Sequence, residues 1–143
     1  MSKREEVISG VLDLVKQARP TSDVQRNRNK AQTVAAEGDI ILRDGDPGDP
    51  TEETLSPLTY TYEHHMPLEV SVRANGDDSD TDLDSVLMDL GAAIFANRYL
   101  GGLCDWLEIS APQTDPVVVE GARAGRWADL EIVATYTTTN PLN

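Results

Sequence analysis

The sequence predicts an α+β fold in which two helices pack on one face of a mainly antiparallel β-sheet, in the order α-β-β-α-β-β give or take a strand. Three observations lead there. Apolar residues recur three and four apart in two stretches, 7–18 and 83–97; apolar and polar residues alternate through 58–73 and 127–138; and clusters of Gly, Pro, Asn and Asp punctuate the chain between them. No internal repeat and no low-complexity tail is present, and 143 residues suit one domain spanning 1–143.

Ser2 followed by Glu5 fits a capping box, and Val7, Ile8, Val11, Leu12, Val15 and Ala18 continue from it at helical spacing, with Leu14 widening the stripe. Lys16 and Arg19 complement the helix dipole, and Pro20 ends the helix because it lacks an N–H and disfavours helical backbone before it. Residues 21–36 are polar and poorly periodic. Glu37-Gly38-Asp39 reads as a turn into a short strand at Ile40-Ile41-Leu42. Residues 43–57 follow as an exposed acidic loop, too rich in Gly and Pro for helix or central strand.

From Leu58 to Arg73 the alternation puts Tyr60, Tyr62, His64, Leu68, Val70 and Val72 on one face of a long strand, or of two pieces with a bulge where Pro67 removes a donor. Asn75-Gly76-Asp77-Asp78 turns the chain into a second helix with Thr81 as its N-cap. Leu83, Val86, Leu87, Leu90, Ile94 and Asn97 form its stripe, and Gly101-Gly102 its left-handed end. Strands are then expected at Trp106–Ser110, Pro116–Glu120 and Trp127–Thr138. The last has Leu130, Ile132, Ala134 and Tyr136 on one face.

Charge narrows the functional classes. Twenty-five Asp and Glu against 12 Lys and Arg give a net −13, so most of the surface repels nucleic acid, although DNA could slide past it. No apolar run approaches the roughly 20 residues that span a bilayer, and the N-terminal residues do not read as a secretory signal. The single Cys104 excludes an intrachain disulfide and suits a reducing cytoplasm.

The chemical candidates are few. His64 and His65 are adjacent, so on a strand they point to opposite faces and do not share a metal ion. Asp44, Asp46 and Asp49 lack the calcium-loop spacing. Asp78, Asp80, Asp82 and Asp89 match four of its positions, but Leu83 stands where its glycine belongs. Cys104 follows a helix C-terminus and precedes Asp105, which is no setting for a thiolate. With no phosphate loop, nucleophile elbow or zinc spacing, the reading assigns no catalytic residue, no cofactor and no metal. The basic cluster Arg26, Arg28 and Lys30 has three readings: a solvated loop, a contact with an acidic neighbouring subunit, or a contact with DNA.

Several blocks carry a family resemblance. Asp44-Gly45-Asp46-Pro47-Gly48, Leu55-Ser56-Pro57-Leu58-Thr59-Tyr60, Tyr62-Glu63-His64, Leu100-Gly101-Gly102-Leu103 and the closing 136–142 are together similar to tail proteins of prophages and gene transfer agents. The family they resemble is the tail terminators typified by that of phage lambda. That resemblance implies a small α+β subunit, not an enzyme, which forms a hexameric ring with copies of itself on the head-proximal end of the tail tube. The ring would stop tube growth and dock onto the head connector, in the neck of a virion assembled in the host cytoplasm. DNA would pass its lumen without specific binding, and no membrane is involved. Assembly physics then nominates inter-subunit contacts: Arg26, Arg28 and Lys30; Asp44, Asp46, Asp49, Glu52 and Glu53 of the acidic loop; and Trp127 and Tyr136 on what reads as an open terminal strand. Another neck or head-closure protein, or a small cytoplasmic ligand-binding or enzymatic domain, are the alternative readings.

Overall fold

A computed structural model describes residues 1–29, 33–73, 78–115 and 125–143. Helix α1 spans Lys3–Ala18. The Ser2 hydroxyl accepts the Glu5 backbone N–H at 3.1 Å, while the Glu5 carboxylate turns to Arg26, so only half of the capping box forms. Val7, Ile8, Val11, Leu14 and Val15 are buried. The strands β1 (Asp23–Arg26), β2 (Asp39–Leu42), β3 (Glu52–Leu55) and β4 (Leu58–Val72) precede α2 (Ser79–Ala96). A 3-10 turn at Leu100–Gly102 leads on to β5 (Trp106–Ile109), β6 (Gln113–Asp115) and β7 (Arg126–Thr138).

The described strands make one sheet in the order β1-β2-β4-β7-β5. Strand β3 pairs with β4 beyond the end of β2, and β6 pairs with β7. All pairings are antiparallel except β1 with β2. The axis is the β4–β7 ladder, which runs from Tyr60 opposite Thr138 to Val72 opposite Arg126. Tyr62, His64, Met66, Leu68, Val70 and Val72 alternate into the core, facing Ala128, Leu130, Ile132, Ala134 and Tyr136 from β7. Leu83, Val86, Leu90 and Ile94 from α2 and the apolar stripe of α1 close over them. Both helices therefore cover one face of the sheet, and the other face is left to polar side chains such as Glu63, His65, Asp129 and Glu131.

Four features differ from the sequence reading, and the choice it left open at Pro67 is decided. Strand β1 lies in the segment read as aperiodic. Its Asp-Val-Gln-Arg carries one buried apolar residue, Val24, and pairing with β2 rather than periodicity makes it a strand. Within the acidic loop, residues 52–55 form β3, and β6 occupies 113–115. Strand β4 is continuous through Pro67. The Pro67 carbonyl accepts the Arg43 N–H at 2.8 Å just past the end of β2, so the missing donor faces no β7 partner. Helix α2 starts at Ser79 with Asp78 at its N-cap, not at Thr81, and Asp80 in its first turn binds Arg126 at 2.6 Å. Finally, β7 is not an open edge: β4 flanks it along one side, and β5 and β6 occupy the other. The expected strand at 116–120 and the turn at 75–77 lie outside the described residues.

Candidate functional site

Arg26, at the end of β1, holds two carboxylates at once. Its Nη1 and Nη2 donate to Glu5 at 2.6 and 2.8 Å, and its Nε and Nη2 donate to Asp44 at 2.6 and 3.1 Å. The guanidinium pulls both carboxyls below their usual range, and the two carboxylates raise the Arg26 pKa in return. The Asp44 N–H donates to the Asn27 side chain, and Asn27 itself has a positive φ of 55°.

One link inward lies His64, fully buried. Its Nε2 is 2.6 Å from the Asp44 carbonyl, which can only accept, so Nε2 carries the proton. Nδ1 then accepts from the Tyr136 hydroxyl at 3.0 Å. Burial lowers the His64 pKa and raises that of Tyr136 to about 12, so both stay neutral near pH 7. His65 faces the other way, exposed, with Nδ1 2.9 Å from Glu131. The Asp46 backbone bridges to His65, and Gly45 sits at φ 65°, where an added Cβ would lie 1.8 Å from the His65 carbonyl oxygen. These contacts join α1, β1, the loop after β2, β4 and β7 through polar groups that satisfy one another. The result is a clamp that ties these elements together.

The nominated residues are thus spread out. Arg26 and Asp44 bind each other inside one subunit, and Tyr136 is 2% exposed and engaged with His64, which leaves it no surface for a neighbour. Trp127 is half-buried on the helix-free face, opposite Ser71. Arg28, Asp46, Asp49, Glu52 and Glu53 are exposed, and Lys30 lies outside the described residues. Cys104 is buried, its Sγ 3.6 Å from the Arg98 carbonyl, and burial pushes its thiol up to about 11.

Among the described residues, no group of three His, Cys, Asp or Glu is placed to hold a metal ion, and no helix is long and apolar enough to cross a membrane. An open groove of about 710 Å³ lies on the helix-free face, with Arg43, Glu69, Asp129 and Glu131 in its lining. Its cation Arg43 is bound to Glu69 at 2.7 Å, so the groove offers an anion little.

Two exposed apolar surfaces were not singled out from sequence. On α2, Met88, Ala92 and Phe95 follow one another at helical spacing on the side away from the core, and Tyr99, just past the helix end, extends the surface. Arg98 lies between aromatic rings at their edge, 5.2 Å from the Phe95 centroid and 4.7 Å from that of Trp106, and Tyr99 meets Trp106 edge-on at 5.9 Å. The Arg98 Nη1 donates to the Leu107 carbonyl at 2.6 Å and lies 2.9 Å from Glu108, whose carboxyl is lowered by hydrogen bonds from Trp106 and Arg98. The second surface is the tip of the β3–β4 hairpin, where Leu55 is 86% and Leu58 45% exposed. The signal for the helix stripe was legible: 88, 92 and 95 are spaced like the core stripe and 99 continues the pattern past the helix, so α2 is apolar on two sides.

No protein-family model matches the chain, and no curated protein matches its sequence. Among solved structures, the chain is similar to one in the "Virion of native gene transfer agent (GTA) particle". The TM-score is 0.62 and the identity 17%, over 92% of this chain and 95% of that one. At that identity the likeness establishes a shared fold.

Proposed function

We propose that this chain is a structural subunit of a phage-type virion, and within it the terminator that caps the head-proximal end of the tail tube as a ring of copies, six in number. The fold shared almost end to end with a chain of a gene transfer agent virion carries this reading. The disposition of polar groups is in keeping with it. Among the described residues, the displaced pKa values belong to structural pairs or to buried groups that stay neutral, and several large apolar side chains stand exposed, as suits contacts between proteins.

The mechanism follows from assembly. A tube grows because each ring exposes the surface that received the ring before it, a heterologous contact with no internal stop. A terminator matches the tube on one face and presents something different on the other, to which the head connector docks. With −13 on each copy, a ring lumen would let DNA pass without adhering.

The test is disruption of the gene in the particle-producing cell, followed by electron microscopy of the lysate. The terminator reading expects tails of excessive, irregular length and heads that fail to attach. Tails of uniform normal length beside leaking heads would overturn it in favour of a head-closure connector.

A further inference from the structure

The tip of the β3–β4 hairpin and the aromatic surface at the end of α2 share a property: each holds large apolar side chains out in solvent. The β4–β7 ladder ends at Tyr60 opposite Thr138, so the rungs Thr54–Thr59 and Leu55–Leu58 form a two-stranded ribbon beyond the sheet. Such a ribbon is marginal alone. This one is closed by Ser56 and Pro57 and braced by Thr54, whose hydroxyl donates to the Pro57 carbonyl at 2.7 Å and touches the Thr59 hydroxyl. It holds Leu55 and Leu58 out in solvent. The α2 surface is likewise rigid, since the Arg98 guanidinium is stacked and hydrogen-bonded in place.

The sheet decides how these surfaces can meet. Trp106 pairs with Thr135, which lies opposite Glu63, so the aromatic cluster flanks the same end of the sheet as the hairpin. Strand β3, however, lies beside β4 on one edge, and β5 lies beyond β7 on the other. Leu58 is five residues past the Trp106 row, roughly 16 Å along the strand at about 3.3 Å per residue. A subunit cannot fold its own tip back onto its own α2. A copy set beside it, edge to edge, can deliver its tip there.

We infer that the hairpin tip Leu55–Leu58 of one copy packs on the Met88–Phe95–Tyr99–Trp106 surface of the next, a head-to-tail contact that repeats around a ring. The inference rests on the ring reading only in needing copies of the chain to meet, not in what the ring caps. Met88, Phe95, Tyr99 and Trp106 are 67, 75, 60 and 40% exposed, which at aromatic-sized areas amounts to roughly 500 Å². The two leucines add roughly 250 Å² on the same reckoning. Since interfaces are about 60% apolar, the whole contact comes to roughly 1,200 Å², the lower bound of a specific one. The α2 side has the Trp, Tyr and Arg composition of energetic centres. Charge does not drive it. Glu52 and Glu53 flank the tip, Asp105 and Glu108 border the aromatic surface, and Glu108 already pairs with Arg98. Association is therefore apolar and strengthens with salt as acidic repulsion is screened.

The experiment is sedimentation velocity on the purified full chain, with circular dichroism to verify folding. The variants are Leu55→Asp with Leu58→Asp, and Phe95→Asp with Tyr99→Asp; Ser replaces Asp if either fails to fold. The wild type should associate, more so in high salt. Each variant alone should be monomeric, its association weakened at least tenfold, and an equimolar mixture should form heterodimers, because each variant keeps one intact surface. Variants that associate like wild type would overturn this contact and leave the ring reading standing. Monomeric variants whose mixture stays monomeric would overturn the head-to-tail pairing. A wild-type chain that is monomeric at all concentrations and salts would overturn both.

Discussion

Arg26 shows how much one side chain settles. From sequence it belonged to a basic cluster with Arg28 and Lys30, one of whose readings was a contact with an acidic neighbour. In the fold, its acidic partners are Glu5 and Asp44 of its own chain, on either side of the same guanidinium. Arg26→Ala is therefore expected to lower folding stability, not merely assembly. Charge-assisted hydrogen bonds favour a large loss, but the carboxylates are more than a third exposed, which brings the expectation down to about 1–2 kcal/mol. Urea unfolding measures it. Arg28→Ala, at an exposed position, serves as the control and should change stability by less than about 0.5 kcal/mol. Tyr136 teaches the same lesson from the other side. Its placement on the inward face of the last strand was legible, but its hydroxyl's partner was not, because His64 is 72 residues away in sequence.

At the scale of elements, the two helices begin differently, and that difference is measurable. Ser2 caps α1 with a side-chain hydrogen bond, whereas Asp78 at the start of α2 makes none, and Asp80 is instead anchored to Arg126. Ser2→Ala is expected to cost about 1 kcal/mol. Asp78→Ala should cost only the few tenths that a charge near the helix N-terminus contributes. Thermal unfolding of the two variants tests the ranking, and an equal loss in both would contradict the assignment of caps. Periodicity located both helices and both long strands because their apolar residues face one core. Short strands escaped it: β1 has one buried apolar residue, and β3 is exposed throughout. Such strands exist because a neighbour's backbone offers hydrogen bonds, which local sequence does not encode.

For the molecule as a whole, stability should depend on pH in two steps. His64 has a folded pKa below its ordinary 6.5, so the unfolded chain takes up the proton first. The stability its neutral form contributes is complete above pH 6.5 and is lost as pH falls from there through the lowered folded value. Glu5 and Asp44, also lowered, contribute stability that is complete above their ordinary 4.5 and 3.8 and is lost as pH falls through their folded values. Urea midpoints between pH 8 and pH 3 should show a first decline beginning near 6.5 and a second below about 4.5. His64→Gln should remove the first and keep the second. Parallel curves for variant and wild type would mean that burial of His64 is not the cause.

The sequence by itself determined the fold class, the two helices, the long alternating strands, the inward face of each and the acidic charge, because these follow from short-range periodicity and composition. It also placed His64 and His65 on opposite faces, by strand alternation alone. Only the tertiary structure decided that the last strand is interior, that Asp44 and Arg26 form a clamp within one subunit, and that the hairpin tip and the aromatic side of α2 are the apolar surfaces left over. Each of these depends on which distant strands become neighbours, and that choice is made by burying one common core rather than by any local run of residues.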